Sequence, residues 1–127
     1  MFLLDQKNVS AAYLAGHPAL RGRVLFTNAD PGDPDAAFVE RNEGSAEEIA
    51  DLVRRGYLVR TRTDWNTLQA RTGDTSRRDL AMKSGAQILS TDYPPGEPSR
   101  WTGYRVAFPE GSVRCNPVLT VAGCRIP

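Results

Sequence analysis

The sequence predicts a parallel α/β protein, and three observations lead there. Four short apolar segments recur along the chain, each ending in an acid or an amide, at roughly the spacing of strand–helix–strand units, about 30 residues. The segments between them carry helical apolar spacing and close on glycine. The last apolar segment, Ala86–Thr91, runs into Asp92 and then Pro94-Pro95, which forbid continuation. In such a fold the residue just past a strand's carboxyl end faces the ligand crevice. Asp92 is therefore the first residue to read as functional.

Phe2-Leu3-Leu4-Asp5 reads as a buried strand ending in a carboxylate. Asn8–Leu14 is a short helix closed by Gly16, with Pro18 just beyond. His17, the only histidine, lies in that connection and precedes the next strand, so it reads as a loop residue on the far side and not as an acid or base. Arg23–Thr27 is the second strand. It opens into Asn28-Ala29-Asp30-Pro31-Gly32-Asp33-Pro34-Asp35, rich in oxygen ligands yet without the glycine and late glutamate of an EF-hand. Most of that loop reads as a solvated turn, and Asn28 and Asp30 are its candidates for cation binding.

Ser45–Arg55 is the clearest helix: Ser45 and Glu48 spell a capping box, and Ile49, Leu52 and Val53 share one face. Tyr57–Asp64 is the third strand. Alternation puts Leu58, Arg60, Arg62 and Asp64 on one side and Tyr57, Val59, Thr61 and Thr63 on the other. The second set suits packing against helices. The first would carry two arginines inward, which is costly unless carboxylates or a phosphate pair with them; the other possibility is an edge strand with both in water. Trp65–Ala70 is a loop or short turn, and Trp65 reads as a cover over the rim, or as a residue that stacks on a ring or touches lipid. Asp74 or Thr75 caps a helix over Ser76–Ser84, and Gly85 returns the chain to the last strand. Beyond Pro95, Tyr104–Phe108 and Val118–Val121 look like short strands joined through Pro109-Glu110-Gly111.

A formal charge of +1 argues against a nucleic-acid footprint. Fourteen of the sixteen basic side chains are arginine, which suits phosphate recognition and is also what a GC-rich genome encodes. Cys115 and Cys124 show no zinc spacing; they read either as a disulfide of a secreted protein or as two thiols of a hairpin. The apolar run after Met1 is too short for a signal-peptide core or a membrane span.

Several stretches carry a family resemblance. Thr91-Asp92-Tyr93-Pro94 resembles the end of the last barrel strand in the TIM-barrel phosphodiesterases. Val59–Asp64, Ala70–Thr75, Ser84–Gln87 and Ser90–Pro94, together with Gly16-His17-Pro18 and Leu20–Val24, resemble the calcium-dependent phosphoinositide-specific phospholipase C family, over the second half of its catalytic domain. The resemblance implies the C-terminal half of a TIM-type (β/α)8 barrel over residues 1–95, about four βα units, with a small β extension over 96–127. A whole barrel takes about 250 residues, so the expectation for these 127 is a fragment; a small α/β domain of its own is the alternative.

The resemblance also implies the chemistry: a phosphoric diester hydrolase in which an inositol 2-hydroxyl attacks phosphorus and an acid protonates the departing diacylglycerol. Two histidines do that work in such enzymes, and this chain lacks the pair, so it is expected to be inactive alone. By resemblance Asp92 is catalytic, orienting an imidazole. Arg60, Arg62, Asp64 and Tyr93 are substrate-binding, and Asn28, Asp30 and Asp5 are metal ligands for Ca2+. The expected partners are a phosphoinositide or similar phosphodiester, a membrane surface, and a second copy of the half-barrel, with no nucleic acid. The expected location is secreted or periplasmic. A glycerophosphodiester phosphodiesterase-like hydrolase is the alternative, though those enzymes usually carry an aromatic residue where Arg60–Asp64 stands. A non-catalytic phosphate or sugar-phosphate binding module is the other.

Overall fold

A computed structural model describes residues 2–109, 111–120 and 122–126. The chain runs β1 (Leu3–Leu4), α1 (Lys7–Leu14), a 3-10 turn at Pro18–Leu20, β2 (Phe26–Thr27), β3 (Phe38–Glu40), α2 (Ala46–Arg54), β4 (Leu58–Arg62), α3 (Leu68–Thr72), α4 (Ser76–Lys83) and β5 (Ile88–Ser90). β1 pairs with β2, and β3, β4 and β5 form a second sheet in chain order. Every pairing is parallel, and a single parallel bridge from Asn28 to Phe38 links the two sheets. The parallel α/β expectation holds. The barrel does not follow from it: among the described residues the sheets form an open row and close on nothing.

Sequence explains why α2 anchors this row. Ser45 Oγ accepts from the Glu48 N–H (3.2 Å), and the Ser45 N–H donates to Glu48 Oε2 (2.8 Å). The reciprocal cap satisfies two donors that the helix start would otherwise leave open. Ile49, Leu52 and Val53 then pack against Val39 and Val59. Each such aliphatic side chain contributes about 1.5–3 kcal/mol when withdrawn from water. Gln87 completes the sheet before β5 begins: its Oε1 accepts from the Val59 N–H (2.8 Å) and its Nε2 donates to the Tyr57 carbonyl (3.1 Å). One side chain thus does the work of a strand residue. A second, smaller core joins Ala70, Tyr104 and Val106 with Met82 and Tyr93.

Three expectations are corrected. First, β3 was not foreseen. It has only Phe38 and Val39 as apolar residues, too short a run to stand out beside the acidic loop, yet both are fully buried. Second, Tyr104–Phe108 is not a strand. Its alternation is real, since Tyr104 and Val106 both point into the second core. Its backbone, however, meets a turn: the Val106 N–H donates to the Tyr93 carbonyl (2.9 Å), and its one bridge among the described residues is antiparallel, Phe108 to Gly111. Of the strand expected at Val118–Val121, Val118–Thr120 is a turn and its end, organised by Asn116, whose Oδ1 accepts from the N–H groups of Val118 (2.9 Å) and Leu119 (3.2 Å). Val121 itself, like Glu110, lies outside the described residues. So residues 96–126, where described, form an irregular extension and not a β unit. Third, the second strand is shorter than Arg23–Thr27. The Tyr13 hydroxyl accepts from the N–H groups of Val24 (3.1 Å) and Leu25 (2.7 Å) before the ladder starts at Phe26.

Cys115 and Cys124 form a disulfide. It closes the extension that Asn116 fastens to the body, through Nδ2 donating to the Gly85 carbonyl at 2.7 Å.

Candidate active-site mouth

Register partners in a parallel ladder share a face. Leu3 faces with Phe26, Glu40 with Arg60 and Ile88, and Arg62 with Ser90. At the carboxyl end of the strands this face turns polar, and its side chains connect across the sheet. Asn28 Nδ2 donates to Asp5 Oδ1 (2.9 Å), and Asn28 Oδ1 accepts from the Glu40 N–H (3.2 Å). Glu40 forms an ion pair with Arg60. Arg60 Nη2 then donates to Ser90 Oγ (2.8 Å). The inward arginine that the sequence made costly is therefore paired, as its half-buried position requires.

Arg62 is held differently. Its guanidinium lies 4.0 Å from Asp92 Oδ2, with the Asp92 side chain 58 % exposed, and 5.1 Å from the centre of the Trp65 ring. A pair this long and wet contributes about 1 kcal/mol or less, so Arg62 can exchange it for an incoming anion at little cost. Arg60, by contrast, is committed to Glu40 and Ser90.

Asp64 sits beneath this pair and is 1 % exposed. Its Oδ1 accepts from the Asp92 N–H (3.1 Å), and its Oδ2 accepts from the hydroxyls of Thr91 (2.5 Å) and Thr63 (2.8 Å). The carboxylate locks the tip of β4 to the tip of β5, and its oxygens point at the protein. Tyr104 closes the same knot, donating its hydroxyl to the Thr63 carbonyl (3.0 Å). Burial, followed by the neighbouring Asp64 charge, pushes the Tyr104 phenol up to about 12. The folded value lies above the unfolded one, so this contribution is complete below about pH 10 and is lost as pH rises toward 12. The denaturation midpoint of the wild-type chain is expected to fall across that window more steeply than that of Tyr104→Phe, which cannot ionise there; equal slopes would refute the role.

The expected site residues thus divide. Asp5, Asn28, Arg60, Arg62 and Asp92 come to one rim. Asp30 does not join them, because both its oxygens take Lys7 Nζ at 3.0 Å. Tyr93 packs edge-on against Tyr104, with ring centres 5.8 Å apart, and belongs to the second core. His17 sits before β2, at the other end of the strands, with Nδ1 donating to the Arg21 carbonyl (3.0 Å). Glu40 and Ser90 are additions. Ser90 was readable, two residues before Asp92 in an alternating strand; Glu40 was not, because its strand was not. A cleft of about 640 Å3 opens at the Asp5–Glu40 end of this rim, lined by Asp5, Asn28, Glu40, Asn42, Glu43 and Trp65 among others. Among the described residues no three carboxylate, imidazole or thiolate groups converge on a metal-binding point.

A family model described as phosphoinositide phospholipase C, Ca2+-dependent, matches residues 1–117. No curated protein and no solved structure matches the chain.

Proposed function

The chain belongs to the calcium-dependent phosphoinositide phospholipase C family, and from that premise we propose that it forms the head-group-binding side of a phosphodiesterase mouth. One observation carries this reading: the carboxyl ends of consecutive parallel strands share a continuous polar row, Asp5–Asn28–Glu40–Arg60–Ser90, with Arg62 and Asp92 beside it. The parallel strands in chain order support an arc of a (β/α)8 barrel, residues 1–95, as its scaffold.

In this reading Arg62 takes the phosphate, exchanging Asp92 for it. Arg60 is held by Glu40 and Ser90 and offers its remaining N–H groups to inositol hydroxyls. Asp92, once released, orients an imidazole. Asp64 acts from below, by fixing the Asp92 backbone. The reaction transfers the inositol 2-hydroxyl proton to a base. That oxygen bonds to phosphorus, the bond from phosphorus to the diacylglycerol oxygen breaks, and an acid returns a proton to the leaving oxygen. His17, the chain's one histidine, is remote from the mouth. The chain therefore supplies binding and orientation without the acid–base pair.

The family is described as Ca2+-dependent, and the donor chemistry at the cleft fits a hard cation. Asp5, Asn28, Glu40 and Asn42 line it, and Asn42 Oδ1 is buried without a hydrogen-bond partner. These residues would hold the ion, which would neutralise phosphate charge when bound. Asp30, engaged by Lys7, is outside this set. The disulfide supports a secreted or periplasmic location, and the open edges of β1 and β5 favour self-association.

The test is a calorimetric titration of the 127-residue chain with inositol 1-phosphate, alongside an assay for phosphatidylinositol turnover. Binding is expected, weakened about tenfold or more in Arg62→Ala because a charge-assisted contact is worth roughly 1.5–3 kcal/mol. Turnover is expected to be absent. Affinity indifferent to Arg62, or brisk turnover, would overturn the assignment.

A further inference from the structure

We propose that the crevice between the starts of α2 and α4 binds a neutral polyhydroxylated ring, a monosaccharide or a cyclitol; this goes beyond the reading above and does not depend on it. The crevice measures about 520 Å3 and is lined by residues 42–45, Glu48, the end of β4 at Thr61 and Arg62, and Ser76, Arg77 and Leu80 of α4. Its size is within the roughly 300–1,000 Å3 of small-molecule sites.

Arg77 is the reason to expect an occupant. It is the second residue of α4, where a cation opposes the helix dipole. The side chain is half-buried, and its Nε is closed to solvent with no hydrogen-bond partner. No carboxylate among the described residues forms an ion pair with it. The next residue, Arg78, by contrast pairs with Asp79 at 2.9 Å. A buried guanidinium N–H without an acceptor is costly, and an occupant that offers an oxygen recovers that cost. A small rotation of the side chain would bring Nε to the crevice that Arg77 already lines.

The charges decide the chemistry. The wall carries two guanidinium groups, Arg62 and Arg77, and two carboxylates, Glu43 and Glu48. A phosphate or carboxylate would gain the first pair and meet the second; a cation would meet the reverse. The helix starts offer an anion little, because their N–H groups are engaged. Ser45 and Glu48 cap each other reciprocally, and the Ser76 N–H donates to Asp74 Oδ1 (2.9 Å). Hydroxyl groups suit such a wall, since each donates one hydrogen bond and accepts others. Leu80, 38 % exposed, supplies an apolar patch for the carbon face of a ring. Asn42, Glu43, Gly44 and Glu48 also line the cleft at Asp5, so this segment is a wall shared by the crevice and the mouth.

The experiment titrates the whole, nitrogen-labelled chain with glucose and, separately, with myo-inositol, following the nitrogen–proton correlation spectrum. Saturable shifts are expected at the Gly44, Arg77 and Leu80 amides and at the Arg77 Nε–H, with one Kd of about 10 mM or tighter for at least one of the two rings. Arg77→Met keeps the aliphatic stem and removes the donors. It should weaken that binding about fivefold or more while leaving the urea midpoint unchanged or higher, because no partner is lost. Arg100→Ala, outside the crevice, should change neither. No saturable shift with about 100 mM of either ring would mean that water alone fills the crevice, and overturns the proposal. So do shifts confined to Ser90 and Asp92, binding indifferent to Arg77→Met, or a fall in the urea midpoint of that variant, which would make Arg77 a structural partner. Inositol 1-phosphate affinity is expected to survive Arg77→Met. If neither ring binds while inositol 1-phosphate still does, the crevice site falls and the function stands; if a ring binds at the crevice and inositol 1-phosphate does not bind, the reverse holds.

Discussion

Asp64→Ala is expected to lower folding stability by about 2 kcal/mol, roughly 1 kcal/mol or more for each of the two donors left without an acceptor. The carboxylate accepts from the Thr91 hydroxyl and the Asp92 N–H, and from the Thr63 hydroxyl, which also has the Ser90 carbonyl within reach at 2.9 Å. Asp64 is 1 % and Thr63 0 % exposed, and Thr91 is half-buried. Asp64→Asn should cost less, because its amide oxygen can still accept while the threonine hydroxyls rotate to meet the new N–H groups. Urea denaturation of both variants checks the ordering. The same substitution has a second consequence. Without its tether the Asp92 backbone is free to drift, so inositol 1-phosphate affinity should fall in Asp64→Ala even though Asp64 touches no ligand. A stability loss under 0.5 kcal/mol, a typical surface-substitution effect, would show that the strand tips are held by something else.

Gly85→Ala is expected to cost about as much, for a different reason. Gly85 has φ +78, where a side chain is disfavoured by about 1–2 kcal/mol. A β-carbon there would also overlap Val118 Cγ2 and lie 2.8 Å from Val118 Cβ, and forcing room in a packed contact adds about 1–3 kcal/mol. The clash falls on the extension, which Asn116 fastens to the Gly85 carbonyl. Val118→Ala should therefore restore part of the loss in the double variant, a coupling that distant sites do not show. Additive costs would mean that the extension does not rest on Gly85.

The two cases indicate what was legible in the sequence. Gly85 announced itself as a helix stop, and the capping box of α2, with Ile49, Leu52 and Val53 behind it, was readable to the residue. The alternation of β4 correctly sent Val59 and Thr61 to the helix side and Arg60 and Arg62 to the other. Local pattern failed where the partner decided the outcome. Phe38–Glu40 is a strand because β4 and the Asn28 bridge accept it, not because its sequence insists. Tyr104–Phe108 has strand alternation and no strand to meet. The strand-end acids showed the same limit. Asp5, Asp64 and Asp92 look alike in sequence, but one is on the rim, one is buried in a knot of threonines, and one is half in water; only the neighbouring strands separate them.

The central claim is that the strand tips of this chain gather one anion-binding mouth around Arg62 and Asp92. The most direct measurement is a nitrogen–proton correlation spectrum of the labelled chain titrated with inositol 1-phosphate. The account predicts that the Arg62 side chain, the backbone amides of Ser90 and Asp92 and the Trp65 indole shift together with one affinity, while His17 and Gly22, at the opposite end of the strands, stay still. Shifts gathered around His17, or none at the strand tips at saturating ligand, would contradict it.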